Sequence, residues 1–389
     1  MLLNVDDLRS EARRRLPRAV FDYIDGAAED EVTLARNEQI FSSWTFSPRV
    51  LVDVGTIDES VTVLGRHHST PLILAPTGLC GMAAPRGEIL VAHAAGRAGV
   101  TFTLSSLSAV SIEDVAAAAT GPLWFQLYVW RDRALTNSLV ERAAAAGYEV
   151  LMVTADVPVF GQRERDHRNG ATIPPRITVK NAFETLQRPA WLLQMLRSPR
   201  IEFANVTTNR GAAGRPFALS RYINEQFDPT LTWKDIAALR SIWKGRIVVK
   251  GVMSAEDAVR AADEGIDGII VSNHGGRQLD GLPASLEVLP EIVDAVGERT
   301  EVLFDGGIRR GGDIVKALAF GARACLIGRP YLYGLGAAGE RGVEMSVSML
   351  RAEMVRAMAL LGRARVADLD RSALRPATGL VAAPDRHPS

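Results

Sequence analysis

Eight short apolar runs recur along the chain, and each one closes on a glycine, a serine, an aspartate or another polar residue. Runs of this kind, rich in Val, Ile, Leu and Phe, are typical of strands that are buried on both faces of a parallel sheet. Segments with the period of a helix lie between most of them. The predicted strands are 71–76, 100–105, 123–129, 150–156, 246–251, 268–273, 301–307 and 324–329, and the predicted helices are 87–97, 111–118, 134–146, 255–264, 286–296 and 311–320.

Regular alternation of strand and helix predicts parallel strands that are joined by crossover helices. Eight such units are the number that closes a (β/α)8 TIM barrel, and an open doubly wound sheet is the alternative. The count favours the barrel, and no Gly-x-Gly-x-x-Gly motif follows the first strand. We therefore predict an α/β fold with a TIM barrel. The predicted divisions are an N-terminal helical cap over 1–70, the barrel over 71–361 and a C-terminal tail over 362–389.

The interval between the fourth and fifth predicted strands is much longer than a crossover needs. We therefore expect an insertion over 157–231, on the face where the strands end. Its central part, 176–215, carries seven basic and two acidic side chains around the apolar run at 191–196. That composition fits an active-site lid that packs on the barrel, or a segment that contacts a membrane surface. Before the barrel, the stretch 44–54 is expected to plug or flank the first strand.

Charge and cysteine content exclude several classes of function. Lys plus Arg number 45 and Asp plus Glu number 45, so no net field draws the molecule onto nucleic acid. Cys80 and Cys325 lie in apolar stretches without paired spacing, which predicts neither a disulfide nor a metal site. The start of the chain is polar and acidic, and no run approaches the roughly 20 apolar residues of a membrane span. We expect a cytoplasmic protein, or one peripheral on the inner face of the membrane.

Polar residues at the predicted strand ends are candidates for the active site, because TIM barrels build their sites there. The first four strands end near Pro76, Thr77, Gly78, Ser105, Gln126, Tyr128, Thr154 and Asp156. The last four end near Lys250, Ser272, His274, Arg277, Asp305, Gly307, Arg309, Gly328 and Arg329.

The last two strand ends have the composition of a phosphate site. Glycines let backbone N–H groups approach an anion, a helix is predicted to start at Gly311, and Arg309 and Arg329 add charge. Lys250, at the end of the fifth strand, has two possible roles. It is either a Schiff-base nucleophile or a fixed positive charge beside an electron-rich ring.

His274 is the candidate base, because it follows a strand in a glycine-rich turn while Asp156 ends another strand. A carboxylate beside the imidazole would hold its tautomer and raise its basicity. Arg163 and Arg277 also lie near the predicted mouth, and a guanidinium group binds a carboxylate through two parallel hydrogen bonds. Two arginines and a base indicate an anionic acid as substrate.

Three segments carry a family resemblance: SNHGGRQLD at 272–280, DGGIRRG at 305–311 and WFQLY at 124–128. With them the chain resembles the FMN-dependent 2-hydroxy acid oxidases and dehydrogenases, a family that includes glycolate oxidase, flavin lactate dehydrogenase, flavocytochrome b2 and mandelate dehydrogenase. The similarity runs from about Val5 to about Leu361. It implies oxidation of a 2-hydroxy acid to the 2-keto acid, FMN as the cofactor, and a homotetramer.

The resemblance also implies roles for individual residues. His274 would be the base and Asp156 its partner. Arg163 and Arg277 would bind the substrate carboxylate with help from Tyr23, and Tyr128 would bond the substrate hydroxyl. The implied FMN contacts are Pro76, Thr77 and Gly78 near flavin N5, Ser105, Gln126 and Thr154 along the ring edge, Lys250 at N1 and O2, and Ser272, Asp305, Gly307, Arg309, Gly328 and Arg329 at the ribityl chain and phosphate.

Two positions favour a subclass within that family. Gly78 stands where many of the oxidases have Ala, and mandelate dehydrogenase resembles this chain at that position. Leu107 stands where glycolate oxidase has a large Trp, which leaves room for a bigger substrate side group. With the run 162–166, these positions favour a mandelate-like aromatic substrate, with electrons passed to a quinone or another acceptor. An oxygen-using oxidase of the same family, a lyase with Lys250 as Schiff base, and a non-catalytic FMN-binding module are the alternatives.

Overall fold

Eight parallel strands close into a barrel, in chain order around the ring, so the predicted TIM barrel is confirmed. A computed structural model of the chain describes residues 1–170, 179–198, 201, 203–206 and 226–377, with only the backbone described for 179–182. The eighth strand pairs with the first, which closes the ring. The barrel strands are Leu72–Leu74, Thr101–Ser105, Leu123–Leu127, Val150–Thr154, Arg246–Val252, Gly268–Val271, Glu301–Asp305 and Cys325–Ile327.

The barrel interior is filled by side chains, because alternate strand residues point inward. Trp124, Met152, Val248 and Ile270 belong to this inner cluster and are buried. Their strand neighbours point outward and pack on the surrounding helices, which explains why strands such as Leu72–Leu74 and Gly268–Val271 are apolar on both faces.

Helices surround the barrel, and the six predicted helices begin and end within one residue of their predicted bounds. The helices Trp233–Ile242 and Arg329–Leu361 were not predicted. Ser111 and Ser254 cap two of them by accepting hydrogen bonds from backbone N–H groups. The last helix is interrupted by non-helical backbone at Ala338 and Gly339. The outer helices are Gly87–Ala98, Ile112–Ala118, Arg133–Ala145, Trp233–Ile242, Ala255–Asp263, Ser285–Val296, Gly311–Ala319 and Arg329–Leu361.

The N-terminal segment covers both ends of the barrel. A hairpin of strands Val61–Val63 and Arg66–His68 closes the bottom of the barrel, where Val63 packs in the inner cluster. Three helices and a 3-10 turn precede the hairpin, and the first helix buries Leu8 and Ala12. These elements are Val5–Arg15, Arg18–Asp25, Val32–Gln39 and Ile40–Ser43.

The stretch 44–54 does not flank the first strand, which pairs only with the second and eighth barrel strands. Instead, strand Trp44–Phe46 pairs antiparallel with strand Leu374–Pro376 from the tail. Trp44 packs edge-on against Phe320, with ring centroids 4.7 Å apart. The expected plug is therefore wrong, because the hairpin occupies the bottom of the barrel.

The insertion contains the helices Glu164–Asn169, Val179–Leu186 and Pro189–Leu196. Trp191 packs on the barrel and its indole N–H donates to the carbonyl of Met82 at 3.0 Å. Leu193 and Leu196 are 48% and 74% exposed. Within the described ranges, no helix is both long enough and apolar enough to cross a membrane. The predicted basic cluster falls partly outside the described residues, at positions 176, 200, 210 and 215.

Candidate active site

A cavity at the carboxyl ends of the strands brings the predicted site residues together. All eight strand ends, the N-terminal segment and the insertion contribute to its lining. Asp156 and Ser272 do not line it but lie directly behind His274 and Lys250. The predicted residues that line it are Tyr23, Pro76, Thr77, Gly78, Ser105, Gln126, Tyr128, Thr154, Arg163, Lys250, His274, Arg277, Asp305, Gly307, Arg309, Gly328 and Arg329.

One wall carries a row of buried polar side chains from the second, third and fourth strands. The hydroxyl of Ser105 donates to Gln126 Oε1 at 3.0 Å, and Gln126 Nε2 donates to Thr154 Oγ1 at 2.9 Å. The backbone N–H of Ser106 also donates to Gln126 Oε1, at 3.3 Å. These bonds fix the amide orientation, so the row presents a defined pattern of donors and acceptors to a ligand.

A second polar row joins the fifth, sixth and seventh strands. Lys250 Nζ lies 2.8 Å from Ser272 Oγ and 3.0 Å from Asp305 Oδ2, and Ser272 donates to Asp305 at 2.7 Å. Both contacts engage Lys250 Nζ, whereas a Schiff-base nucleophile needs a free lone pair on that nitrogen. The geometry therefore supports a fixed positive charge rather than the lyase alternative.

The predicted pair of His274 and Asp156 is in contact. Imidazole Nδ1 lies 3.0 and 3.1 Å from the two carboxylate oxygens. His274 has φ +58°, a left-handed backbone that is uncommon for residues with a Cβ, and this turn directs the ring into the cavity. The contact joins two strand ends that are more than a hundred residues apart in sequence.

The pKa of each group is lowered, which favours a neutral imidazole beside an ionised carboxylate. Burial lowers the pKa of His274, and the charge of Lys250 adds to that effect while Asp156 opposes it. Burial raises the pKa of Asp156, but the charge and hydrogen bond of His274 outweigh it, so this pKa is lowered overall. An ionised carboxylate only accepts, so His274 Nδ1 carries the proton and Nε2 is left as a base.

Arg163 and Arg277 make the mouth electropositive. Arg277 donates to the carbonyls of Tyr23 and Gly26 at 2.9 and 2.8 Å, and its guanidinium lies 5.2 Å from the Tyr23 ring centroid. Burial and the nearby charges of Arg163 and Arg329 lower the pKa of Arg277 to about 9. The buried Nε of Arg163 has no hydrogen-bond partner among the described residues. An anion would relieve both the repulsion and the unmet donor.

Arg329 and Gly328 form the other anion-binding end. The last helix begins at Arg329, so its first N–H groups and the positive end of its dipole lie at the cavity. Arg329 donates to the carbonyls of Gly275 and Gly26, and its buried Nε finds no acceptor in the part of the chain that is described. Burial lowers the pKa of this guanidinium.

Arg309 and the helix at Gly311 contribute differently from the prediction. Arg309 lines the cavity but already pairs with Glu38 at 2.7 Å. The helix at Gly311 does not present its N-terminus to the cavity, because the N–H of Gly311 donates to Glu353 and those of Arg309 and Arg310 to Asp313. Its expected part in the phosphate site is therefore wrong.

An apolar wall faces the same cavity and was only partly predicted. Leu107 was identified from the sequence, whereas Phe160 and Phe203 come from the insertion. Single aromatic residues in a long irregular segment carry no periodicity, so no sequence signal marks them. Tyr128 adjoins this wall, and burial raises the pKa of its hydroxyl, which keeps it a hydrogen-bond donor.

Comparisons with known proteins place these features in one family. A family profile described as FMN-dependent dehydrogenase matches residues 12–376. A putative L-lactate dehydrogenase of Mycobacterium tuberculosis is 46% identical over 361 residues, covering 92% of this chain and 86% of that protein. An (S)-mandelate dehydrogenase of Pseudomonas putida is 43% identical over 361 residues, covering 93% and 91%. A crystal structure of a monotopic membrane protein, (S)-mandelate dehydrogenase, has a TM-score of 0.93 at 41% identity, covering 97% of this chain and all of that one.

Proposed function

The chain belongs to the family of FMN-dependent dehydrogenases, and from that premise we propose that it oxidises a mandelate-like aromatic 2-hydroxy acid to the 2-keto acid. FMN is the family's cofactor. The observation that carries the choice of substrate is the apolar wall of Leu107, Phe160 and Phe203, which shares the cavity with Arg163 and Arg277. A planar aromatic group buries its faces against such a wall while the carboxylate binds the arginines.

The cavity fits FMN on structural grounds. The Nε donor of Arg329, which has no partner among the described residues, and the helix N-terminus beside Gly328 suit its phosphate. The two polar rows suit the heteroatoms of its ring edge and ribityl chain. The residues that would hold it are Pro76, Thr77, Gly78, Ser105, Gln126, Thr154, Lys250, Ser272, Asp305, Gly307, Arg309, Gly328 and Arg329.

The protein side chains bind and orient the acid and take its proton. Arg163 and Arg277 bind the carboxylate, with Tyr23 beside them, and Tyr128 bonds the hydroxyl. His274 Nε2 takes the proton that the substrate loses, and Asp156 stabilises the imidazolium that results. When bound, FMN supplies the two-electron acceptor, and Lys250 provides positive charge for the negative charge that reduction produces.

The apolar wall makes the substrate preference testable by a single substitution. L107W adds a large ring beside Gly78, whose ideal Cβ position already lies 3.3 Å from the Leu107 side chain. We expect kcat/KM for (S)-mandelate to fall at least about tenfold, because overpacking excludes the larger group. The value for glycolate should change by less than about threefold. Steady-state assays with mandelate, lactate and glycolate measure this.

The same panel tests the proposal itself. If wild-type protein has a higher kcat/KM for lactate than for mandelate, the aromatic assignment is wrong, and a lactate dehydrogenase activity replaces it. If no 2-hydroxy acid bleaches the flavin absorbance under anaerobic conditions, the non-catalytic FMN-binding module replaces both.

We also propose that the insertion contacts a membrane surface, where a quinone would accept the electrons. Phe183, Leu186, Leu193 and Leu196 are each about half exposed or more, on two consecutive helices. Arg188 and Arg197 flank the second helix and would face anionic headgroups. An exposed apolar surface of this kind is typical of an interaction site in a soluble protein.

Vesicle binding and reoxidation rates test this proposal. We expect co-sedimentation of the wild type with vesicles containing phosphatidylglycerol and a clear loss of binding by L193E/L196E. The matched control L51E/L360E changes two other well-exposed leucines elsewhere and should bind like wild type. A soluble quinone should reoxidise the reduced protein faster than air does, and the reverse order would indicate the oxygen-using alternative.

The homotetramer stays a prediction. Sedimentation equilibrium would measure the number of subunits.

A further inference from the structure

We propose that Asp25 is a positioning residue that fixes the substrate-binding side chains Tyr23 and Arg163 relative to each other. The inference rests on the proposed role of Arg163 and extends it to a residue that does not line the cavity. Tyr23 and Arg163 come from two separate segments, the N-terminal helices and the insertion. Asp25 joins these segments through a buried ion pair with Arg165.

The Asp25 carboxylate is 5% exposed and accepts four hydrogen bonds. Arg9 donates to both of its oxygens, at 2.6 and 2.9 Å, and the Tyr333 hydroxyl donates at 2.8 Å. Arg165 Nη1 donates at 2.9 Å. Burial by itself would raise the pKa of Asp25, but the bonds from Arg9 and Tyr333 and the charges of Arg9 and Arg329 lower it well below its ordinary value. The carboxylate is therefore ionised and fully bonded.

Arg165 connects this carboxylate to Arg163. Both arginines lie at the start of the helix Glu164–Asn169, with Arg163 at the residue just before its first turn. Arg165 also pairs with Glu31, and the N–H of Glu29 donates to the carbonyl of Gln162 at 2.8 Å. The insertion is thus fixed to the N-terminal segment immediately before and after Arg163.

Tyr23 is fixed from the other side of Asp25. The helix Arg18–Asp25 ends two residues after Tyr23, so the two side chains share one helical turn. Arg277 holds the Tyr23 and Gly26 carbonyls, while Arg329 also holds that of Gly26. A displacement of Asp25 therefore moves Tyr23 and releases Arg165 together.

The test is D25N, which keeps the shape but replaces an ionised acceptor with a neutral amide. Oxalate, a dicarboxylate with no hydroxyl to oxidise, is titrated into the FMN-loaded protein and binding is followed by the flavin absorbance change. We expect the Kd for oxalate and the KM for the hydroxy acid to rise about 10- to 100-fold, because a misplaced guanidinium weakens its charge-assisted hydrogen bonds to the carboxylate. The kcat and the FMN content should change by less than about threefold.

R165Q provides a second route to the same result and changes a more exposed side chain. It should raise the Kd for oxalate as D25N does, and the double variant should add little, since both remove one connection. R9Q is the matched control on the same carboxylate. Arg9 lies on the helix Val5–Arg15, which contributes no residue to the cavity lining. R9Q should therefore lower thermal stability while the Kd for oxalate stays within about twofold of wild type.

D267N controls for the loss of any carboxylate shared by two arginines. Asp267 bridges Arg240 and Arg246 at the opposite end of the barrel. The D267N substitution should lower thermal stability without changing the Kd for oxalate. Equal oxalate affinity in wild type, D25N and R165Q would overturn the positioning role, and so would R9Q or D267N weakening oxalate as much as D25N. If D25N fails to fold, R165Q alone decides.

R163Q separates this inference from the proposed function. We expect it to lose oxalate binding, because it removes the guanidinium itself. If R163Q binds oxalate like wild type, the proposed role of Arg163 is wrong. If R163Q is impaired while D25N and R165Q are not, only the positioning role is wrong.

Discussion

At the scale of single residues, Asp156 decides which nitrogen of His274 can act as base. D156N keeps a hydrogen bond to Nδ1 but presents an amide that can stabilise the wrong tautomer. We expect the rate of flavin reduction to fall about 10²- to 10⁴-fold with KM nearly unchanged. Anaerobic stopped-flow absorbance measures this rate, and a loss of less than about tenfold would contradict the assignment.

The pH dependence of the same step follows from the lowered pKa of His274. A protonated imidazole cannot accept a proton, so this group makes kcat/KM fall on the acid side. Because burial shifts the pKa down, the fall should begin below the ordinary value of about 6.5. In D156N the opposing effect of the carboxylate is lost, so residual activity should persist to still lower pH. A fall in kcat/KM that begins at or above pH 6.5 would refute this account. So would an upward shift of its apparent pKa in D156N.

At the scale of elements, the turn after the seventh strand depends on one glycine. Gly307 has φ +73°, and a Cβ there would overlap the carbonyl oxygen of Asn37 on the helix Val32–Gln39. We expect G307A to lower the free energy of unfolding by about 2–5 kcal/mol, from left-handed strain plus overpacking, and to reduce FMN retention.

Its matched control is G281A. Gly281 has φ +79°, but a Cβ there would meet nothing within 4 Å. Only the conformational cost of about 1–2 kcal/mol should remain. Urea denaturation of both variants gives the comparison, and equal losses would show that the contact with Asn37 contributes nothing.

The elements that were predicted from sequence are those whose burial follows from their neighbours in the chain. Strand 150–156 was found at Val150–Thr154 because its residues are apolar on both faces. His274 and Asp156 were found because strand ends meet at one edge. The pairing of Trp44–Phe46 with Leu374–Pro376 depends on packing across the molecule, and no local pattern contains it. Phe160 and Asp25 were missed for the same reason.

At the scale of the whole molecule, the N-terminal helices and the barrel share one hydrophobic core. Leu8 on the first helix is fully buried in it. We expect L8A to lower the free energy of unfolding by about 2–5 kcal/mol, and L3A, at an exposed leucine, to change it by less than about 0.5 kcal/mol. During unfolding, the circular dichroism signal and the release of FMN, measured by its fluorescence, should change in a single transition. Two separate transitions would show that the cap unfolds independently.

The barrel closes only when strand Cys325–Ile327 pairs with strand Leu72–Leu74. Strand Trp44–Phe46 can pair only after Leu374–Pro376, which comes still later in the chain, has been made. During synthesis on the ribosome, the early part of the chain must therefore persist without these partners until residues 325–327 and 374–376 have been made. Contacts this distant in sequence form slowly, and the exposed strand edges invite aggregation meanwhile. We therefore expect FMN to bind only after the eighth strand has closed the ring, because the end of that strand lines the cavity.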